Sequence, residues 1–161
     1  MAIYTIGIAE KVISRSPDKL VTLGLGSCVG LVLYDPIHKV GGLVHIMLPN
    51  APAGSASENR FKFADTAIED MIRLVTQAGA ARHNLQAKLA GGAHMFNNAY
   101  NSDVMGIGKR NAEICQKVLK DLRIPITSQD LGGTSGRSIE FCCESNMLQI
   151  RTVSPKSVRL I

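Results

Sequence analysis

Between Leu20 and Pro49 three apolar, β-type runs follow one another: Leu20–Leu25, Val29–Tyr34 and Val40–Pro49. The gaps between them are too short for the dozen or more residues that a parallel crossover needs. An all-parallel sheet is therefore excluded for this part of the chain. Asp35-Pro36 is a turn signal, since proline fixes φ and lacks a donor, so the second and third runs read as a β-hairpin. The first run breaks at Gly24-Leu25-Gly26-Ser27 and resumes at Val29.

Elsewhere the pattern alternates between strand and helix. Ile3–Ile8 reads as a strand, and Asn50–Asn59, rich in Ala, Ser, Pro and Gly, as a mobile loop. Phe61, Ala64, Ile68, Met71, Ile72 and Val75 share one face of a helix over Phe61–Ala78, with Gly79 as its stop. Gln86–Ala90 reads as a short strand ending at Gly91-Gly92, and Ala93–Gly108 as irregular loop. Cys115, Val118, Leu119 and Leu122 form the stripe of a second helix over Lys109–Leu122. Strands are expected over Ile124–Leu131, Ser138–Cys142 and Leu148–Val153, with residues 154–161 left as a short frayed tail. At 161 residues the expectation is one domain over residues 1–161: a mixed α+β fold with hairpins and two long helices.

Composition narrows the function classes. No apolar run reaches the roughly 18 residues of a membrane span. Residues 1–15 lack the basic start and apolar core of a secretory signal. The four cysteines, Cys28, Cys115, Cys142 and Cys143, then belong in a reducing compartment as free thiols, and their spacing fits neither a zinc site nor a CxxC redox site. No metal and no organic cofactor is expected. The basic residues behind the net charge of +5 are scattered, and with 4% aromatic residues there are few platforms for stacking bases. Nucleic acid is not the expected partner, and no membrane insertion is expected.

Chemistry concentrates at Gly24-Leu25-Gly26-Ser27-Cys28-Val29-Gly30. A phosphate-cradling loop would need a helix to start there, and a strand follows instead. Two readings of Cys28 stay open: a small buried side chain in a strand break, which leads when the residue is taken alone, or a thiol nucleophile. Glycines around a nucleophile let substrate approach the backbone, and amides near Gly26 and Ser27 are then available to an oxyanion. His45 is the natural partner, because the hairpin sets its strand beside the one that follows Cys28; taken alone, a core histidine satisfied by a backbone group is the leading reading. Asp35 is the acidic residue nearest in sequence, and the turn explains it. Thr22 offers a hydroxyl that accepts from an imidazole N–H, or is an ordinary strand residue. His38, His83 and His94 are weaker candidates.

These segments, Leu23–Val29 and Gly41–Pro49, resemble the chemoreceptor glutamine deamidase family, CheD. The resemblance continues through Lys88–Phe96, Ile107–Asn111 and Asp130–Arg137, in order along most of the chain. It implies Cys28 as nucleophile, His45 as base and Thr22 as the orienting hydroxyl. It further implies hydrolysis of glutamine side-chain amides on the cytoplasmic domains of chemoreceptors, a cytoplasmic location and a CheC-type phosphatase as partner. The implied fold is that of toxin-type Cys-His deamidases. A monomer is expected, and the positive charge suits an acidic receptor bundle. The alternatives are a non-catalytic adaptor for the phosphatase or receptor, and a thiol redox sensor, for which no resolving cysteine lies near Cys28.

Overall fold

A computed structural model describes residues 1–54, 59–95 and 106–161. Sheet one has the order β1-β3-β8-β9-β10: β1 (Ile3–Ile6), β3 (Lys19–Leu25), β8 (Arg137–Cys142), β9 (Leu148–Val153) and β10 (Lys156–Leu160). Sheet two has the order β2-β5-β4-β6-β7: β2 (Lys11–Arg15), β5 (Val40–Ile46), β4 (Val29–Asp35), β6 (Gln86–Gly91) and β7 (Ile126–Leu131). β1 runs parallel to β3 and β6 parallel to β7; the other pairings are antiparallel. The helices are α1 (Ala64–Gln77) and α2 (Ile107–Asp121). The mixed α+β class with two helices is as the sequence implied.

β4 and β5 are buried at every position because both faces of sheet two are covered. Val29, Leu31, Leu33, Val44 and Ile46 face the two helices and meet Ile68, Met71 and Leu119 in one core. Val32, Tyr34 and Leu43 face sheet one and meet Leu20, Ile139 and Phe141 in a second core. Parity along β4 and β5 thus decides the neighbour: even positions of β4 and odd positions of β5 look into the layer between the sheets. Each such side chain contributes about 1.5–3 kcal/mol by leaving water.

Several boundaries differ from the sequence reading, each for a local reason. β1 stops at Ile6, where a turn takes Ala9 to a φ of 63° and the Glu10 carboxylate accepts from the Gly7 amide. β2 gave no signal: it carries only Val12 and Ile13 as apolar residues, one packed on each core. α1 begins three residues late because Phe63 is held extended by its bridge to Leu48, after a 3-10 turn over Arg60–Lys62 that the Asn59 side chain caps. α2 starts at Ile107, two residues earlier than expected, on a left-handed Gly106. The loops expected over Asn50–Asn59 and Ala93–Gly108 fall partly outside the described residues.

Residues 154–161 are not a frayed tail. β10 pairs with β9 along its length, Ile161 exchanges both backbone hydrogen bonds with Leu148, and the Lys88 ammonium donates to the Ile161 carbonyl at 2.8 Å. The sequence hid this strand because every residue of β10 is exposed, so no buried alternation marks it.

Candidate active site

The chain crosses from sheet one to sheet two through Gly26-Ser27-Cys28, the link between β3 and β4. A bulge between Thr22 and Leu25, with Gly24 at a φ of 67°, turns the strand toward the crossing. Space at the link is tight: a Cβ on Gly26 would lie 2.9 Å from the Met95 side chain. The link's carbonyls are all engaged. Gly26 accepts from the Ala93 amide, Cys28 accepts from the Gly92 amide, and Ser27 accepts from the Asn111 side chain, each at 2.9 Å.

The hairpin places His45 as the sequence implied. Gly30 lies opposite His45, and Val29 opposite Ile46. Cys28 shares the face of Gly30, two residues away, and that face looks into the layer between the sheets. Cys28 accordingly packs against the inter-sheet core, half-buried, while His45 is 1% exposed. Space at Gly30 is tight: a Cβ there would lie 2.6 Å from the end of the Ile139 side chain, which would have to shift.

Thr22 reaches the histidine from the opposite sheet. Its hydroxyl is 2.7 Å from His45 Nδ1 and 2.9 Å from the Ile6 carbonyl. A carbonyl only accepts, so the single hydroxyl proton goes to Ile6 and Thr22 accepts from Nδ1–H. That fixes the tautomer: the proton sits on Nδ1, and Nε2 carries the free lone pair. Nε2 is buried and has no hydrogen-bond partner among the described residues.

Burial pushes the Cys28 thiol up, against a smaller pull from its own backbone amide. Burial likewise holds His45 below the ordinary histidine value, and Glu10, brought near by the pairing of β2 with β5, offsets this only in part. Burial thus favours the neutral thiol at Cys28 and the neutral imidazole at His45. Cys115 and Cys143 are pushed up to about 12 by burial and are packing residues. Cys142 is the one lowered thiol among the four, where bonds from Ser145 and Glu144 outweigh its burial.

The remaining candidates lie elsewhere. Asp35 sits at the far end of β4, its carboxylate accepting from the amides of Ile37, His38 and Ala81 and meeting the His38 ring at 2.7 Å. His83 lies in the 3-10 turn Arg82–Asn84, and the His94 amide donates to Gly133. Among the described residues no cluster of three or more His, Cys, Asp or Glu side chains has the arrangement of a metal site. A cavity of about 560 Å³ opens beside the link, lined by Gly24, Met95, Gly136, Ser138 and Arg151 among others.

Sequence reasoning missed two supports of the link. Gly91-Gly92 reads as turn glycines, yet a Cβ on Gly91 would lie 2.2 Å from the Cys28 carbonyl. Asn111 stands on α2, far along the chain, and only the fold brings it to Ser27.

A family model described as CheD chemotactic sensory transduction matches residues 47–152. The "Probable chemoreceptor glutamine deamidase CheD" of Caldanaerobacter subterraneus subsp. tengcongensis is 51% identical over 151 residues, covering 94% of this chain and 93% of that one. The "Chemoreceptor glutamine deamidase CheD" of Halalkalibacterium halodurans is 48% identical, covering 94% of both chains. The protein of the same name from Bacillus subtilis is 49% identical, covering 94% of this chain and 92% of its own.

Proposed function

The chain belongs to the chemoreceptor glutamine deamidase family CheD, and from that premise we propose that it hydrolyses the side-chain amide of glutamines on bacterial chemoreceptors, with Cys28 as nucleophile, His45 as base and Thr22 as the residue that orients the base. One observation carries the assignment: Thr22 bonds Nδ1 of a fully buried imidazole and leaves Nε2 unpartnered. A histidine serving only the core would have both nitrogens satisfied.

The chemistry follows from the neutral pair. As the sulfur closes on the glutamine Cδ, His45 Nε2 takes the thiol proton. The carbonyl oxygen becomes an oxyanion. Backbone amides near Gly26 and Ser27, in the turn that carries Cys28, are the donors offered to that charge. The imidazolium then gives its proton to the departing nitrogen, and ammonia leaves a thioester on Cys28. Water, deprotonated by His45, attacks the thioester and releases glutamate and the thiol. Thr22 makes a neutral hydrogen bond, so it steadies the imidazolium less than a carboxylate would.

The substrate would be the cytoplasmic part of the receptor, which sets the reaction in the cytoplasm. A CheC-type phosphatase as partner, and a monomeric enzyme, complete the proposal; both are tested by mixing the purified proteins and measuring mass in solution. Ammonia release from a purified receptor cytoplasmic fragment tests the catalytic reading. Cys28→Ala is expected to release none and His45→Ala nearly none. Full activity in Cys28→Ala would overturn Cys28 as the nucleophile, and no ammonia release from the wild-type protein would favour the adaptor reading.

A further inference from the structure

We infer that Asn111 is a positioning residue of this site, whose side-chain NH2 group ties the segment carrying Cys28 to the segment carrying His45. The inference rests on the deamidase reading for the reaction it serves. Asn111 lies in the second turn of α2 and is fully buried. Its Nδ2 donates to the Ser27 carbonyl and to the Met47 carbonyl, each at 2.9 Å. Ser27 precedes Cys28, and Met47 follows His45 by two residues.

The place of this amide explains its use. The ladder between β4 and β5 ends at the pair Val29–Ile46. Beyond that pair the two chains part, since the Met47 amide donates instead to Lys62 and the Cys28 carbonyl accepts from Gly92. Asn111 supplies the tie that the ladder no longer gives, at the end of the sheet where Cys28 stands. Both neighbours are carbonyls, so only the NH2 end can face them, and the orientation of the amide is fixed. The other end, Oδ1, is buried without a partner among the described residues. A side chain placed for packing alone would not carry that cost, which a leucine avoids. α2 is itself seated on the same loop: a Cβ on Gly108 would lie 2.3 Å from the Ala93 carbonyl, so the helix start is locked to the backbone that binds Gly26.

Two variants separate positioning from stability. Asn111→Leu keeps volume and removes both donors. Asn111→Asp keeps shape and sets a carboxylate against two carbonyls; on protonation it regains one donor. Three quantities are measured: thermal unfolding, kcat and KM on a receptor fragment, and the rate of Cys28 alkylation by iodoacetamide against pH. In Asn111→Leu, kcat is expected to fall at least about tenfold with KM within about twofold, and the alkylation profile to move toward that of His45→Ala. In Asn111→Asp, kcat relative to wild type is expected to rise as pH falls, a recovery that decides the matter even if the leucine variant does not fold. Wild-type kcat and an unaltered alkylation profile in either folded variant overturn the inference. So does a loss of activity fully accounted for by the fraction unfolded. If the wild-type protein itself releases no ammonia, the deamidase reading fails, while the alkylation profile still decides whether Asn111 sets the Cys28–His45 geometry.

Discussion

Thr22 has one proton to give, and the Ile6 carbonyl takes it. Everything proposed for His45 depends on that detail, because it leaves Nε2 as the basic nitrogen. Thr22→Val keeps the shape and removes the acceptor for Nδ1–H. The loss of a neutral hydrogen bond is worth about 1 kcal/mol, so kcat is expected to fall several-fold, far less than in Cys28→Ala. A drop as complete as that of Cys28→Ala would mean that Thr22 touches the reacting atoms. The neutral pair also sets the pH profile. Activity needs His45 unprotonated and Cys28 still holding its proton, so the acid limb lies below the ordinary histidine value and the alkaline limb above the ordinary cysteine value. The result is a broad plateau across neutral pH, read as kcat/KM on a receptor fragment. An ion-pair enzyme would instead show its thiolate limb well below neutrality. Stability follows the same sign: a histidine whose folded pKa is depressed favours the native state above its unfolded pKa, and that contribution is lost as pH falls through the unfolded value and toward the folded one. Asp35 adds a second such loss at lower pH. Desolvation opposes its charge, but bonds from Ala81, His38 and Ile37 outweigh it and hold the carboxyl well below the usual range. Asp35→Asn is expected to cost about 1–3 kcal/mol in urea unfolding at neutral pH, with the difference shrinking once wild-type Asp35 protonates.

At the level of elements, β10 and β2 show what a sequence pattern carries and what it does not. The β4–β5 hairpin was legible because buried apolar runs and an Asp-Pro turn mark it, and with it came the pairing of His45 with the strand after Cys28. The bond from Thr22 was not legible as geometry, since β3 and β5 lie in different sheets and no local rule sets how sheets stack. Asn111 and Gly91-Gly92 were silent for the same reason: their work is a contact between elements distant in sequence. β10 is exposed along one edge, so neither hydrophobicity nor period revealed it, yet it covers the edge of β9. Removal of residues 154–161 is therefore expected to destabilise the fold, seen as a lower urea midpoint. The Lys88 ammonium, buried in the intact chain, would lose its Ile161 acceptor and keep its bond to the Asn146 carbonyl, which adds to the cost. An unchanged midpoint would mean that β10 adds nothing to the folded state.

The whole molecule is a pair of sheets with Cys28 and His45 between them and the helices on one outer side. Both helices pack on sheet two, and none of them is long and apolar enough to cross a membrane. A net charge of +5, spread over the surface, attracts an acidic partner from a distance and is screened by salt. The association rate with receptor fragments is expected to fall as ionic strength rises, with kcat unchanged; a rate indifferent to salt would remove charge from the account of docking. The central claim is that Cys28 and His45 convert receptor glutamine to glutamate through a thioester. Mass spectrometry of receptor cytoplasmic fragments, incubated in heavy-oxygen water with wild-type protein or Cys28→Ala, tests it most directly. Defined glutamines are expected to become glutamates carrying one heavy oxygen with wild-type protein only; unmodified glutamines in both, or equal conversion in both, would overturn the roles of Cys28 and His45.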